Sequence, residues 1–207
     1  MKTQEINKFF IVGVTLVATL GGLLFGYDTA VISGAVDPLK VFFQLDAAHY
    51  GDLATFYHGA TVSSALIGCI IGGIISGIFA TRFGRKKSLI IASVLFFISA
   101  VGSGFPEMIF FNSSTEISTL LVSFNIYRII GGVGVGLASA ICPMYIAEMA
   151  PAEIRGKLVS WNQFAIIFGM LVVYFVNYFI IYGKEPVWIN SEGWRLMFLS
   201  ESFVAAT

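Results

Sequence analysis

Charge is what this sequence has least of. Only 12% of its 207 residues are Asp, Glu, Lys or Arg, roughly half the share of a soluble globular domain. The 12 basic and 12 acidic side chains cancel, so nothing points to a nucleic-acid partner. Cysteine is scarce as well. Cys69 and Cys142 both fall in apolar segments with no pairing signature, which fits buried reduced thiols. His49 and His58 lie at the edges of apolar runs. No nucleophile, base and orienting group recur together, so an enzyme is disfavoured, and no metal or cofactor is expected. What is abundant is apolar surface: 57% of the residues are hydrophobic, 20 are Phe and 22 are Gly. The mean hydropathy is +0.87.

Windows long enough to cross a bilayer, about 20 residues each, occur at about 9–33, 56–80, 88–111, 120–142 and 158–182. A sixth begins near Arg195 and is still apolar at Thr207, so a fragment ending inside a membrane helix is expected. The first run is too long for a signal-peptide core and no small-residue cleavage site follows it, so it reads as a retained helix. Lys2, Lys8, Arg82, Arg85, Lys86, Lys87, Arg155 and Lys157 fall on one side of this topology, against Lys40, Lys184 and Arg195 on the other. That bias predicts a cytoplasmic N-terminus in the cell inner (plasma) membrane. The connections 37–55 and 183–193 then lie outside, with Trp188 and Trp194 in an interfacial belt. Gly22 and Gly26, Gly68 and Gly72, Gly73 and Gly77, and Gly132 and Gly136 are spaced four apart, which suits close helix packing. The glycine run 131–136 lacks the GxGxxG spacing and follows no soluble strand, so a nucleotide loop is rejected.

Two charges stand inside apolar runs. Asp28 and Arg128 each cost about 2.5–3.5 kcal/mol at mid-bilayer depth on insertion scales, so they are expected to face a bundle interior and to offset each other. A proton reaching the acid would break that arrangement, which suggests proton-linked transport. At the basic end, Gly84-Arg85-Lys86 and the stretch Pro143 to Lys157, with Glu148 and Arg155, form either a plain positive loop or a gate of exposed ion pairs. Such pairs are individually weak, about 0–1 kcal/mol, and would tip a balanced equilibrium.

These segments carry a resemblance. The runs Thr15–Gly34, Tyr127–Ser139, Pro143–Phe168 and Gly193-Trp194-Arg195 with Glu201 resemble the sugar porter family of the major facilitator superfamily, and most closely its bacterial D-xylose–proton symporters. The resemblance covers nearly the whole chain. It implies an all-α membrane protein: residues 1–207 would be the amino-terminal six-helix bundle of a twelve-helix major facilitator fold, the sixth helix truncated and the carboxy-terminal half absent. Alternating access between two bundles would move a monosaccharide with a proton through the lipid. Carried over residue by residue, Asp28 matches the proton-accepting aspartate, Arg128 its partner and Glu201 a nearby acid. Gln163 and Phe25 match residues lining the sugar cavity. Gly84, Arg85, Glu148 and Arg155 match the cytoplasmic gate.

From the residues alone, Gln163, Met170, Tyr174 and Asn177 share one stripe of a helix. Gln163 either shows its amide to a sugar or hydrogen-bonds a neighbouring helix, and both readings stay open. Two departures from the family pattern bear on function. Met170 stands where the xylose symporters carry a second sugar-contacting glutamine, which leaves the sugar undetermined. Thr81 stands where the superfamily motif has an aspartate, so one gate contact is expected to be weaker. A facilitator without proton coupling and a non-transporting sugar sensor are the competing readings.

Overall fold

A computed structural model describes residues 8–108 and 116–205. The described residues fold almost wholly into helices, and no strand occurs among them. Six helices build the structure: α1 (Lys8–Phe42), α2 (Ala54–Arg82), α3 (Arg85–Gly104), α4 (Ile117–Met149), α5 (Arg155–Ile181) and α6 (Trp194–Ala205). The first five are long and apolar enough to span a bilayer. Helices are the form in which a single segment satisfies all its backbone groups in lipid.

The boundaries differ from the hydropathy windows at several ends, α4 for one running on through Pro143 to Met149, and three places show a local cause. First, α1 runs past Ser33 and takes Pro38 into its interior before ending at Phe42. Proline there forfeits one rung of the helix ladder, but Leu39 and Phe43 just beyond it are fully buried, and that packing carries the helix on. Gln44 then turns the chain with φ of 53°, and Asp46 caps the short helix Ala47–Tyr50 by accepting from the His49 N–H at 3.1 Å. Second, α3 stops at Gly104. Pro106 starts a separate 3-10 turn, Pro106–Met108, so Glu107 lies outside the span that the window to 111 had given it. Third, a π-helical turn, Ile189–Gly193, leads directly into α6.

α4 is the central helix, with α1, α2, α3 and α5 packed round it; α6 fills the space between α1 and α3. Glycine spacing explains the closest crossings. A Cβ on Gly68 or Gly72 of α2 would strike the backbone of Ile129 or Val133 on α4. Gly132 and Gly136 of α4 reciprocate against Ala65 and Cys69 of α2. Gly22 and Gly26 of α1 stand the same way against Asn162 and Ile166 of α5. In the fourth pair a Cβ would point away from the neighbours: nothing lies within 4 Å of one at Gly73 or Gly77. Cys69 and Cys142 are free thiols.

The expected Trp194 belt position is overturned. Trp194 is fully buried, its ring 5.0 Å from Phe42, 5.9 Å from Phe43 and 6.0 Å from Phe124. An indole that finds this much apolar contact gains more by burial than at an interface. Trp188 remains half-exposed with Lys184 over its ring at 5.2 Å.

Candidate functional site

Three helices bring the buried charges together. Asp28 sits midway along α1, Arg128 on α4 and Glu201 on α6. Their exposures are 2%, 2% and 0%, so water contributes almost nothing to their solvation. Arg128 Nη1 donates to Asp28 Oδ1 at 2.5 Å, and the guanidinium lies over the Phe198 ring at 5.2 Å. Glu201 meets the Asp28 carboxyl side chain to side chain and interacts electrostatically with Arg128, yet no N–H or hydroxyl donates to either of its oxygens, and Arg128 Nε has no acceptor. Buried charges are expensive unless paired. Here one guanidinium serves two carboxylates.

The stripe on α5 is split by the structure. The buried edge of α5, with Asn162, Ile166, Gly169, Val173 and Asn177, packs on α1, and Asn177 Nδ2 donates to the Val31 carbonyl at 3.2 Å. Asn177 is therefore a helix-packing residue rather than part of an open face. Gln163 and Tyr174 are exposed just beside that edge, and Met170 is half-buried against the core. Phe25 is half-buried on α1, packed near Leu24, Ala138 and Ile141. Gln163 is thus exposed on α5, whereas Phe25 is half-buried on α1.

At the basic end the turns between α2 and α3 and between α4 and α5 are built alike. Gly84 takes φ of 79° at the start of α3, a conformation that glycine adopts without strain. Arg85 then reaches back to the last turn of α2, where Nη1 donates to the Ala80 carbonyl at 3.0 Å. Its Nη2 donates to Glu148 Oε1 at 2.6 Å. Arg155 repeats the backward reach, donating to the Ala150 carbonyl at 3.4 Å. Both arginines thus meet the negative ends of helices. Arg85 and Glu148 form the expected pair; Arg155 is held by the backbone instead. Thr81 bonds to its own helix, at the Gly77 and Ile78 carbonyls, and does not reach this pair.

One cluster escaped the sequence reading. At the other end of the bundle, Arg195 donates to both oxygens of Glu107, at 3.0 and 2.5 Å, and to the Gly104 carbonyl at 3.2 Å. Its guanidinium lies over the Phe42 and Trp194 rings. Burial pushes the Glu107 carboxyl up, but the Arg195 hydrogen bonds and charge outweigh it and hold the group below its ordinary range. The sequence signal was Gly104 and Pro106 between α3 and Glu107: both break helices, and they move the acid to a rim where a base can meet it.

Comparison with known proteins gives the wider setting. A family model described as sugar (and other) transporter matches residues 14–207. The chain belongs to the sugar transporter family. This is a transporter family and not an enzyme family. The chain is 57% identical over 211 residues to the D-xylose-proton symporter of Escherichia coli strain K12, covering 99% of this chain and 43% of that protein. It is 40% identical over 195 residues to the arabinose-proton symporter of Bacillus subtilis, covering 94% of this chain and 38% of that protein. Among solved structures, the proton:xylose symporter XylE bound to 6-bromo-6-deoxy-D-glucose superposes with a TM-score of 0.89 at 55% identity, over 97% of this chain and 43% of that one. An inward-open XylE from E. coli gives a TM-score of 0.87. The fold is that of the amino-terminal half of XylE, and the chain spans less than half the length of these relatives.

Proposed function

We propose that these residues form the amino-terminal half of a monosaccharide–proton symporter, which alternates access around a central sugar site between this bundle and a second one. The observation that carries the reading is the buried cluster of Asp28, Arg128 and Glu201, where a proton is the counter-charge that one guanidinium and two carboxylates lack. Ionised Asp28 holds Arg128 and favours one conformation; a proton on the acid releases the guanidinium and permits the other. Gln163 and Phe25, open on the flank of α5 and on α1, present an amide and a ring to the sugar, with Met170 beside them setting which hydroxyl pattern is accepted. Gly84, Arg85, Glu148 and Arg155 act as the gate at the basic end, which the Lys and Arg bias places in the cytoplasm together with the N-terminus. Supporting the reading are relatives named as xylose– and arabinose–proton symporters.

A facilitator that keeps Asp28 only as a structural partner for Arg128 is the second reading, favoured by 33% identity to a glucose facilitated diffusion protein of Zymomonas mobilis. Asp28→Asn on a chain of the relatives' full length separates the two. Symport predicts that labelled D-xylose or D-glucose still exchanges across vesicles while accumulation driven by a proton gradient disappears. Equal loss of both, or of neither, contradicts it.

A further inference from the structure

No N–H or hydroxyl donates to either Glu201 oxygen, and the carboxyl meets the Asp28 carboxyl directly, so the approach of the two acids depends on whatever holds α6 against α1. Next to each carboxylate in sequence stands a hydroxyl. Tyr27 precedes Asp28 and Ser200 precedes Glu201, and Tyr27 Oη lies 2.7 Å from Ser200 Oγ. The direction of that bond is fixed by the next one. Ser200 Oγ donates its single proton to the Met197 carbonyl at 2.5 Å. A serine hydroxyl has one hydrogen, so the donor between the two side chains is Tyr27. Tyr27 is 1% exposed, and water does not compete for the contact.

We infer that Tyr27 is a positioning residue for the proton site: its hydroxyl, donating to Ser200 Oγ, ties α6 to α1 one residue away from both acids and so holds Glu201 at Asp28. Two further features fit. The groups facing Glu201 are Asp28 and Tyr27 from α1 and Arg128 from α4; neither Tyr27 nor Arg128 donates to it, and the Asp28 carboxyl is the one that meets it. The tie continues along a short relay, from Tyr27 through Ser200 to the α6 backbone at Met197, so it acts on the helix rather than on a mobile side chain. Met197 itself is fully buried, which makes that backbone a firm anchor. Arg195 and Trp194 hold the start of α6, whereas the Tyr27–Ser200 bond acts beside the acids themselves, where a shift of a fraction of an ångström separates a shared proton from two independent acids.

This inference rests on the symport reading, and the test keeps the two apart. Tyr27→Phe removes one oxygen and retains the ring, and Ser200→Ala removes the acceptor. Both go into the full-length chain in sealed vesicles, beside Asp28→Asn, with labelled D-xylose and D-glucose. Each single variant is expected to lower gradient-driven accumulation roughly 2- to 10-fold, the range one hydrogen bond supports, with sugar exchange unchanged. The double variant should be no worse than either single one, because both break the same bond. Equal loss of exchange and accumulation would mean that the bond only stabilises the fold and would overturn the inference. Unchanged accumulation in both variants, with Asp28→Asn uncoupled, overturns it as well while symport stands. Coupling that survives Asp28→Asn removes the symport reading and this inference with it.

Discussion

Residue by residue, the buried charges are the part of the site that the sequence shows most directly. Asp28 and Arg128 are conspicuous because their neighbours are apolar, and the structure joins them at 2.5 Å. Glu201 is legible only through resemblance, since the apolar run before it, Leu196–Leu199, is only four residues long and lies between Arg195 and Ser200. Tyr27 and Ser200 gave no signal, because a hydroxyl in a membrane helix usually bonds its own backbone, as Thr29 and Ser33 do here. Arg128→Ala should leave two uncompensated buried acids and lower stability by about 3–5 kcal/mol. Thermal unfolding in detergent checks this, and Asp28→Asn added to Arg128→Ala should recover part of the loss. A double variant less stable than Arg128→Ala would contradict it. Glu107 behaves differently because it sits at the rim. Its carboxyl is held below the ordinary value of 4.5, so its pairing stabilises the fold above that value and is lost as the pH falls through the lowered one. Glu107→Gln should therefore be less stable than the parent near neutral pH, and the two should converge once the pH has fallen through the lowered value of the Glu107 carboxyl. Melting temperatures across that range provide the check.

Among the helices, spacing was legible and endings were not. Among the described residues each long helix overlaps an apolar window, since a span of about 20 residues leaves little choice of placement. The ends moved where tertiary packing overrode a local signal: buried Leu39 and Phe43 carry α1 through Pro38, whereas nothing comparable continues α3 past Gly104. Glycine pairs were identified by spacing alone, and spacing cannot say which face meets a neighbour. Adjacent Gly72 and Gly73 make the point. A Cβ on Gly72 would meet the Val133 backbone, and one on Gly73 would meet nothing within 4 Å. Gly72→Ala should therefore lower the melting temperature. Gly73→Ala should leave it unchanged or raise it, alanine being favoured by about 1 kcal/mol in a helix interior. Equal effects from the two would show that α2 and α4 cross elsewhere.

For the molecule as a whole, one end carries the Arg85–Glu148 pair and the other the Arg195–Glu107 pair, with the buried acids between. The Arg85 pair is half-exposed, so its contribution to any conformational balance is about 0–1 kcal/mol. If the full-length chain alternates access as proposed, Glu148→Gln should accordingly shift that equilibrium by no more than roughly fivefold, measurable from the accessibility of a cavity cysteine. The apolar faces left open on α2, at Ile70, Ile74 and Ile78, and on α5, at Phe168, Phe175 and Phe179, suit lipid or a second bundle. Orientation is tested with a single cysteine at Lys86, which should react with an impermeant reagent only after the membrane is opened.

The central claim is that sugar and proton move together through the Asp28 site. The most direct measurement is the external pH of a weakly buffered suspension of cells expressing the full-length chain, recorded as D-xylose or D-glucose is added beside labelled uptake. Symport predicts alkalinisation that begins with uptake and is abolished by Asp28→Asn. Uptake with no change in pH would contradict it and leave Asp28 a structural charge.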